Sequence, residues 1–408
     1  MSKQRYFLLI LILGTLAALG PFSIDMYLPG FPAIAKDLRT SVAEVSLSLS
    51  SFFIGVSAGQ LLYGPLLDRF GRKKPLYVGL LLYLLASIGC YLAYSIDALI
   101  ALRFVQALGS CAATVASVAM VRDLFPVKDS AKVFALLSLV ISVSPMLAPT
   151  VGSYMIAAYG WQSVFLVLIA MGALMLVAAF LWLPESYPPD PSYSLHPRPI
   201  LTNFWTVSKN PQFFTYALTG AMTFGGLLAY VSGSPLVFMD IFGVSEQHYG
   251  WIFALLSVGF IGSSQVNSWV LRYYRSEQIV LVAMICQSVI GVVFLIGTSL
   301  GWFGLLATVG MLFLFLCCLG FANPNAAALS IAPFAKNAGS AAALMGATQM
   351  AVGALASFGV SVFNTHTAVP MVAIMAASAL LALLIQVIGR RVIGQPVAVA
   401  EDATVMAH

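Results

Sequence analysis

The stretch GPLLDRFGRKK, residues 64–74, packs five of the chain's 33 charged side chains into eleven positions. An apolar run, residues 42–66, leads into it, and a second, residues 75–94, follows it. Each is long enough to cross a hydrocarbon core of about 30 Å as an α-helix, which takes roughly 20 residues. Charge confined between two such runs reads as a short loop at a membrane face.

The rest of the chain agrees with that reading. Of its 408 residues 61% are hydrophobic and 8% charged, against roughly 25% charged in a soluble domain. Ten further apolar runs, at 6–28, 99–121, 133–154, 164–183, 213–238, 250–271, 279–298, 303–331, 340–362 and 370–388, bring the number to twelve. A lipid-exposed backbone must satisfy its own hydrogen bonds, and these runs lack the alternation of barrel strands, so helices are expected. The fold class is therefore an all-α integral membrane protein with twelve transmembrane helices. The first run exceeds a signal-peptide core and is read as a retained anchor.

Lysine and arginine set the orientation. On the N-terminal side of the membrane fall Lys3, Arg5, Arg69, Arg72, Lys73, Lys74, Arg122, Lys128, Lys132, Arg198, Lys209, Arg272, Arg275, Lys336, Arg390 and Arg391; Lys36 and Arg39 fall on the other side, and Arg103 within a span. Sixteen against two places both termini in the cytoplasm. The net charge of +5 reflects this bias and does not point to nucleic acid as a partner. Cys90, Cys111, Cys286, Cys317 and Cys318 all lie in spans without metal-ligand spacing and read as packing residues, and the four histidines are scattered. No metal or cofactor is expected. The sequence contains no GxxxxGK[ST] phosphate loop, so uphill solute movement would draw on an ion gradient or another subunit.

The longest cytoplasmic connection, PESYPPDPSYSLHPRPILTNFW (residues 184–205), carries six prolines and reads as a linker that forms helix poorly. It divides the chain into an N-terminal six-helix bundle at 1–184, a linker at 185–210, a C-terminal six-helix bundle at 211–394 and a cytoplasmic tail at 395–408. A faint internal repeat lays residues 55–72 over 259–276, with Gly55 on Gly259 and Asp68 on Arg272. Two similar halves with a solute path between them is a common transporter plan.

In the opening loop Gly64, Asp68, Arg69, Gly71, Arg72 and Lys73 resemble, position for position, the signature between the second and third helices of the major facilitator superfamily. LIALRFVQALGS (99–110) looks like that family's fourth-helix motif in proton-coupled members, through Arg103 and Gln106. SPMLAPTVGS (144–153) looks like the fifth-helix motif of its drug antiporters, and SIDMYLPGFPAI (23–34) is similar to the bicyclomycin-resistance (Bcr/CflA) branch of drug:proton antiporters. Ala107 and Ala148 stand where the two helix motifs usually carry glycine. The resemblance implies two pseudo-symmetric six-helix bundles. It also implies that the loop, with Asp123 near it, latches the cytoplasmic side beside the start of the eleventh helix, and that the kinked fifth helix seals the outer side.

The residues themselves support roles of this kind. Gly64 and Gly71 suit tight geometry at helix ends, and Asp68 and Arg72 are one helical turn apart. Ionisable groups inside a span are costly and mark ion pathways, which selects Asp25 and Arg103 for proton coupling. Asp25, about one turn from the outer end of its helix, could instead be an interfacial anchor. Arg103 could instead be a hydrogen-bond hub for carbonyls of neighbouring helices. Burial disfavours the charged form of Asp25, whereas a nearby Arg103 favours it. Pro145 and Pro149 with Gly152 should bend the fifth helix and admit a helix of the other half. Met26, Tyr27, Gln106, Phe224, Tyr230 and Gln349 are candidate substrate contacts, packing being the plainer role for each. The function expected is a monomeric inner-membrane exporter of amphipathic drugs, exchanged for protons, with the small-molecule substrate, protons and the lipid bilayer as its partners. A proton-coupled amino acid or nucleoside carrier of the same fold is the alternative, and a non-transporting receptor is a third. No nucleophile–base pair supports an enzyme.

Overall fold

The structure, a computed structural model, describes residues 3–125, 127–191, 195–334, 338–363, 366–394 and 397. Lys336 and, except for Val397, the tail at 395–408 lie outside the described residues, as do the side chains of Lys3, Lys128 and Lys132. In chain order the helices are α1 (Lys3–Asp25), α2 (Phe31–Asp37), α3 (Val42–Phe70), α4 (Lys73–Tyr91), α5 (Ile96–Leu124), α6 (Val127–Tyr159), α7 (Gln162–Trp182), α8 (Pro197–Ser208), α9 (Pro211–Pro235), α10 (Glu246–Val270), α11 (Ser276–Ser299), α12 (Leu305–Ile331), α13 (Ala338–Val362) and α14 (Val369–Val392). Among the described residues there is no strand. Among the described residues twelve spans are long and apolar enough to cross a membrane. The first joins α1 to α2 across a 3-10 turn at Leu28–Gly30, the seventh extends α9 through a π-helical turn at Leu236–Ile241, and α8 is not a span.

Local chemistry sets these boundaries. Ser41, Ser95 and Asn210 cap α3, α5 and α9 by accepting from the N–H of Glu44, Ala98 and Phe213 at 3.2, 3.3 and 3.0 Å, the usual remedy for orphan donors at a helix start. Gly71 closes α3 at φ +80°, a left-handed geometry that suits glycine. Pro29 has no N–H and disfavours helix at Leu28, so α1 stops at Asp25. The apolar stretch continues past Leu28 to Asp37, and Asp25 is the last residue of α1, at the break within that stretch.

The chain forms two compact units: Met1–Ile200 with Glu246–Gly250, and Leu201–Ser245 with Trp251–His408. In the first, α5 packs against α1, α3 and α4, and α4 against α7. In the second, α9 packs against α12, α13 and α14, and α11 against α12 and α14. Each unit holds a cysteine hydrogen-bonded to a carbonyl of another of its helices. Cys111 of α5 donates to the Val56 carbonyl of α3 at 3.5 Å, and Cys317 of α12 donates to the Gly259 carbonyl of α10 at 3.4 Å.

The linker region is more ordered than its prolines suggest. Pro197 and Pro199 stand in the first turn of α8, where a missing N–H is no loss. From there α8 runs to Ser208, with Asn203 donating to Ser340 at 2.9 Å and Val207 buried against Phe213, Ala217 and Ala341.

Candidate functional site

The charged loop is a closed polar knot. Arg72 Nη1 meets Asp68 Oδ1 at 2.7 Å across one turn, and Nε meets Asp123 Oδ2, from the last turn of α5, at 2.8 Å. Burial opposes the charge on Arg72, but its hydrogen bonds and attraction to Asp123 and Asp68 outweigh that and hold the guanidinium above its ordinary pKa. Arg69 occupies the last turn of α3, where a cation faces the carbonyl end.

Sequence reasoning missed the other side of this knot, which comes from the segment after α7. Glu185 accepts from the backbone N–H of Arg72 at 2.7 Å and of Lys73 at 3.2 Å, capping α4. Ser186 donates to Asp123 Oδ2 at 2.9 Å, and the Tyr187 ring lies 4.5 Å from the Arg72 guanidinium carbon. A signal was present: α4 opens on Arg72, Lys73 and Lys74 with no acid in its first turn, so its positive end needs an anion from elsewhere. Gly71 is favoured here by its φ of +80°, and a Cβ would in addition crowd Glu185 Oε2 at 3.0 Å. Gly64 is not at a helix end; it lies inside α3, and a Cβ there would meet nothing within 4 Å.

Deeper in the same unit Arg103 is fully buried. Its Nη2 donates to the Ser23 carbonyl at 2.9 Å and its Nη1 to Gln106 Oε1 at 2.6 Å. Gln106 Nε2 donates to Ser87 Oγ at 2.8 Å, Ser87 donates to the Tyr83 carbonyl at 2.7 Å, and the Tyr83 and Ser23 hydroxyls meet at 2.8 Å. The bonds form a ring through α1, α4 and α5. The guanidinium carbon lies 4.6 Å from the centroid of the Tyr27 ring and 4.4 Å from that of the Phe52 ring. Arg103 therefore donates to one carbonyl of a neighbouring helix and to an amide of its own, and Ser23, Phe52, Tyr83 and Ser87 are neighbours that the sequence did not single out.

Asp25 lies two residues beyond Ser23 and is 6% exposed. Among the described residues its side chain makes no ion pair and no hydrogen bond, to Arg103 or to any other group. Pro145 and Pro149 are both inside α6, which stays one helix from Val127 to Tyr159. Sequence alone points this stretch at a helix of the other half, and α6 does lie against the start of α10, where a Cβ on Gly250 would stand 3.1 Å from Thr150 Cα and 3.3 Å from the Pro149 carbonyl oxygen; Gly152 itself faces the first span. A Cβ at Gly152 would collide with the Met26 carbonyl oxygen and reach the Met26 Cα at 3.0 Å.

The candidate substrate contacts divide. Met26 and Tyr27 are packed inside the first unit, with Tyr27 hydrogen-bonded to Ser48 at 3.0 Å, and Gln106 belongs to the arginine ring. Tyr230 is buried and stacks on Phe253, centroids 5.6 Å apart. Phe224 and Gln349 remain half-buried in the second unit, and Gln349 donates to Asn323 Oδ1 at 3.2 Å. Among the described residues no group of His, Cys, Asp and Glu could hold a metal.

Comparison with known proteins places this geometry. A family model described as Major Facilitator Superfamily matches residues 13–357. The chain is 36% identical to the uncharacterized MFS-type transporter YdgK of Bacillus subtilis (strain 168), over 93% of this chain and 94% of that one. It is 33% identical to a bicyclomycin resistance protein homolog of Haemophilus influenzae, covering 94% and 96%. It is 29% identical to the multidrug resistance protein MdtL of Escherichia coli, covering 82% and 83%. A solved D-xylose-proton symporter shares the fold, with a TM-score of 0.75 over 94% of this chain and 97% of that one at 14% identity.

Proposed function

We propose that this chain, which belongs to the Major Facilitator Superfamily, exports hydrophobic or amphipathic drugs in exchange for protons by alternating access. The family is one of small-molecule transporters and not of enzymes, and the chain is a multi-pass membrane protein of its fold. One observation carries the exchange. Asp25, buried and unpaired, ends α1 at the break in the first span, one residue before the backbone on which α6 rests. A carboxylate without a countercharge in low dielectric takes up or gives up its proton according to how much water reaches it. A helix resting beside it is placed to change that access.

The names of the bicyclomycin and multidrug resistance relatives support a drug as cargo. Phe224 and the Gln349–Asn323 pair give the second unit an aromatic and an amide contact for it. We place the protein in a bacterial-type inner membrane, acting as a monomer with both termini cytoplasmic. The amide pair favours a second reading, a proton-coupled carrier of polar metabolites such as amino acids or nucleosides.

Reconstituted vesicles test the exchange. Asp25→Asn keeps the side chain's size but cannot release a proton near neutral pH, so drug accumulation driven by an imposed pH gradient should be abolished while binding of a neutral drug persists. Gradient-driven transport that survives in this variant would put the proton site elsewhere. A susceptibility panel in a host lacking its main efflux pumps tests the cargo: resistance to several unrelated compounds is expected, and altered growth on one nutrient without resistance selects the metabolite carrier.

A further inference from the structure

The core of the second unit contains polar atoms that its own packing leaves unmet. Gln386 on α14 is fully buried, and neither its Nε2 nor its Oε1 has a hydrogen-bond partner. The Thr219 hydroxyl on α9, equally buried, has none either. A primary amide in such a place is expensive unless something satisfies it.

The helix registers bring the two side chains to one depth. Between α11 and α14, Glu277 faces Arg390 at 3.8 Å, Ser288 donates to the Ala379 carbonyl at 3.1 Å, and a Cβ on Gly291 would lie 3.1 Å from Ala376 Cα. Each step along α11 is matched by one step back along α14, which sets Gln386 beside Val280 and Leu281. Between α9 and α11, which cross in the same direction, Thr223 donates to Met284 Sδ at 3.5 Å, and one turn earlier on both helices this puts Thr219 at the level of Val280. The direct α9–α14 contacts agree: Gly389 abuts Thr215, and Gly226 approaches the Met375 carbonyl. Around this level lies a cluster of Tyr216, Val280, Ala283, Met284 and Ala382 that carries no charged side chain.

We propose that Gln386 and Thr219 form an internal hydration site between α9 and α14. The three unmet atoms match the approximately three hydrogen bonds that a buried water makes. The site needs a neutral molecule that donates to an amide or hydroxyl oxygen and accepts from an amide N–H, and water does both. Bridged in this way, α9 and α14 are held by exchangeable bonds at a depth where the surrounding cluster carries no charged side chain.

The test uses the purified full-length protein in lipid nanodiscs. X-ray radiolysis in water enriched in oxygen-18 generates hydroxyl radicals from bound water, and fully buried Met284 is the nearby reporter. Met284 should take up label in the parent and several-fold more slowly in Gln386→Leu. A thermal-unfolding cycle over Gln386→Leu, Thr219→Val and the double variant should be non-additive, with either single change lowering the midpoint and the double restoring part of the loss. Protected Met284 in the parent overturns the proposal. So do single variants that each raise the midpoint and simply add, as two dry and independent polar groups would. If Gln386→Leu does not fold, the isosteric Thr219→Val carries the radiolysis comparison alone.

Discussion

Arg103 takes a full charge into an apolar bundle, and its surroundings explain how. Two of its nitrogens are met by a carbonyl and an amide oxygen, and two aromatic rings lie within 4.6 Å of its central carbon, while Nε has no hydrogen-bond partner. That arrangement requires a flat cation with several donors, which lysine is not. Arg103→Lys should strand the Gln106 or Ser23 oxygen and cost about 1–3 kcal/mol, read as a lower unfolding midpoint in detergent. Because no carboxylate pairs with Arg103, the same variant should keep the pH dependence of ligand binding while it loses stability. A shifted pH profile would mean that Arg103 and Asp25 communicate after all.

Helices are held at this site by contacts that act on whole elements. Glu185 anchors the start of α4 by accepting one backbone N–H on each carboxylate oxygen, so Glu185→Gln keeps at most one bond, turns an NH2 donor toward the other N–H and removes the charge facing the helix dipole, a combined loss of about 1–3 kcal/mol. Turnover in vesicles should fall in Glu185→Gln and further in Asp68→Asn, with protein levels near those of the parent; unchanged transport in both would reduce the loop to a topology signal. At the other helix junction, Gly152→Val forces α6 away from the first span, an overpacking change of about 1–3 kcal/mol. Proton-coupled efflux should suffer more than ligand binding. Coupling equal to the parent's would show that α6 can lift off without consequence.

Across the whole molecule, the features legible in the sequence are those that local composition encodes. Twelve apolar runs became twelve spans, and the loop at 64–74 carried the family signature because hydropathy and charge are summed over neighbours. Long-range contacts stayed hidden. Glu185 reaches the loop from 113 residues away, and nothing near Ser23 or Tyr83 announces the ring around Arg103. The break at Asp25 was written in Pro29 and Gly30, yet only the packed chain carries the span on to Asp37. The lysine and arginine asymmetry makes a further prediction at this scale: a fluorescent protein fused to the C-terminus should glow, and a phosphatase fused there should stay inactive, the reverse pattern refuting cytoplasmic termini. The seat of Gly152 also has a genetic consequence. It rests on main-chain atoms of residue 26, and every amino acid brings the same main chain. A lesion at 152 therefore has no allele-specific suppressor at its own contact, and revertants must arise at positions that move one whole helix relative to the other.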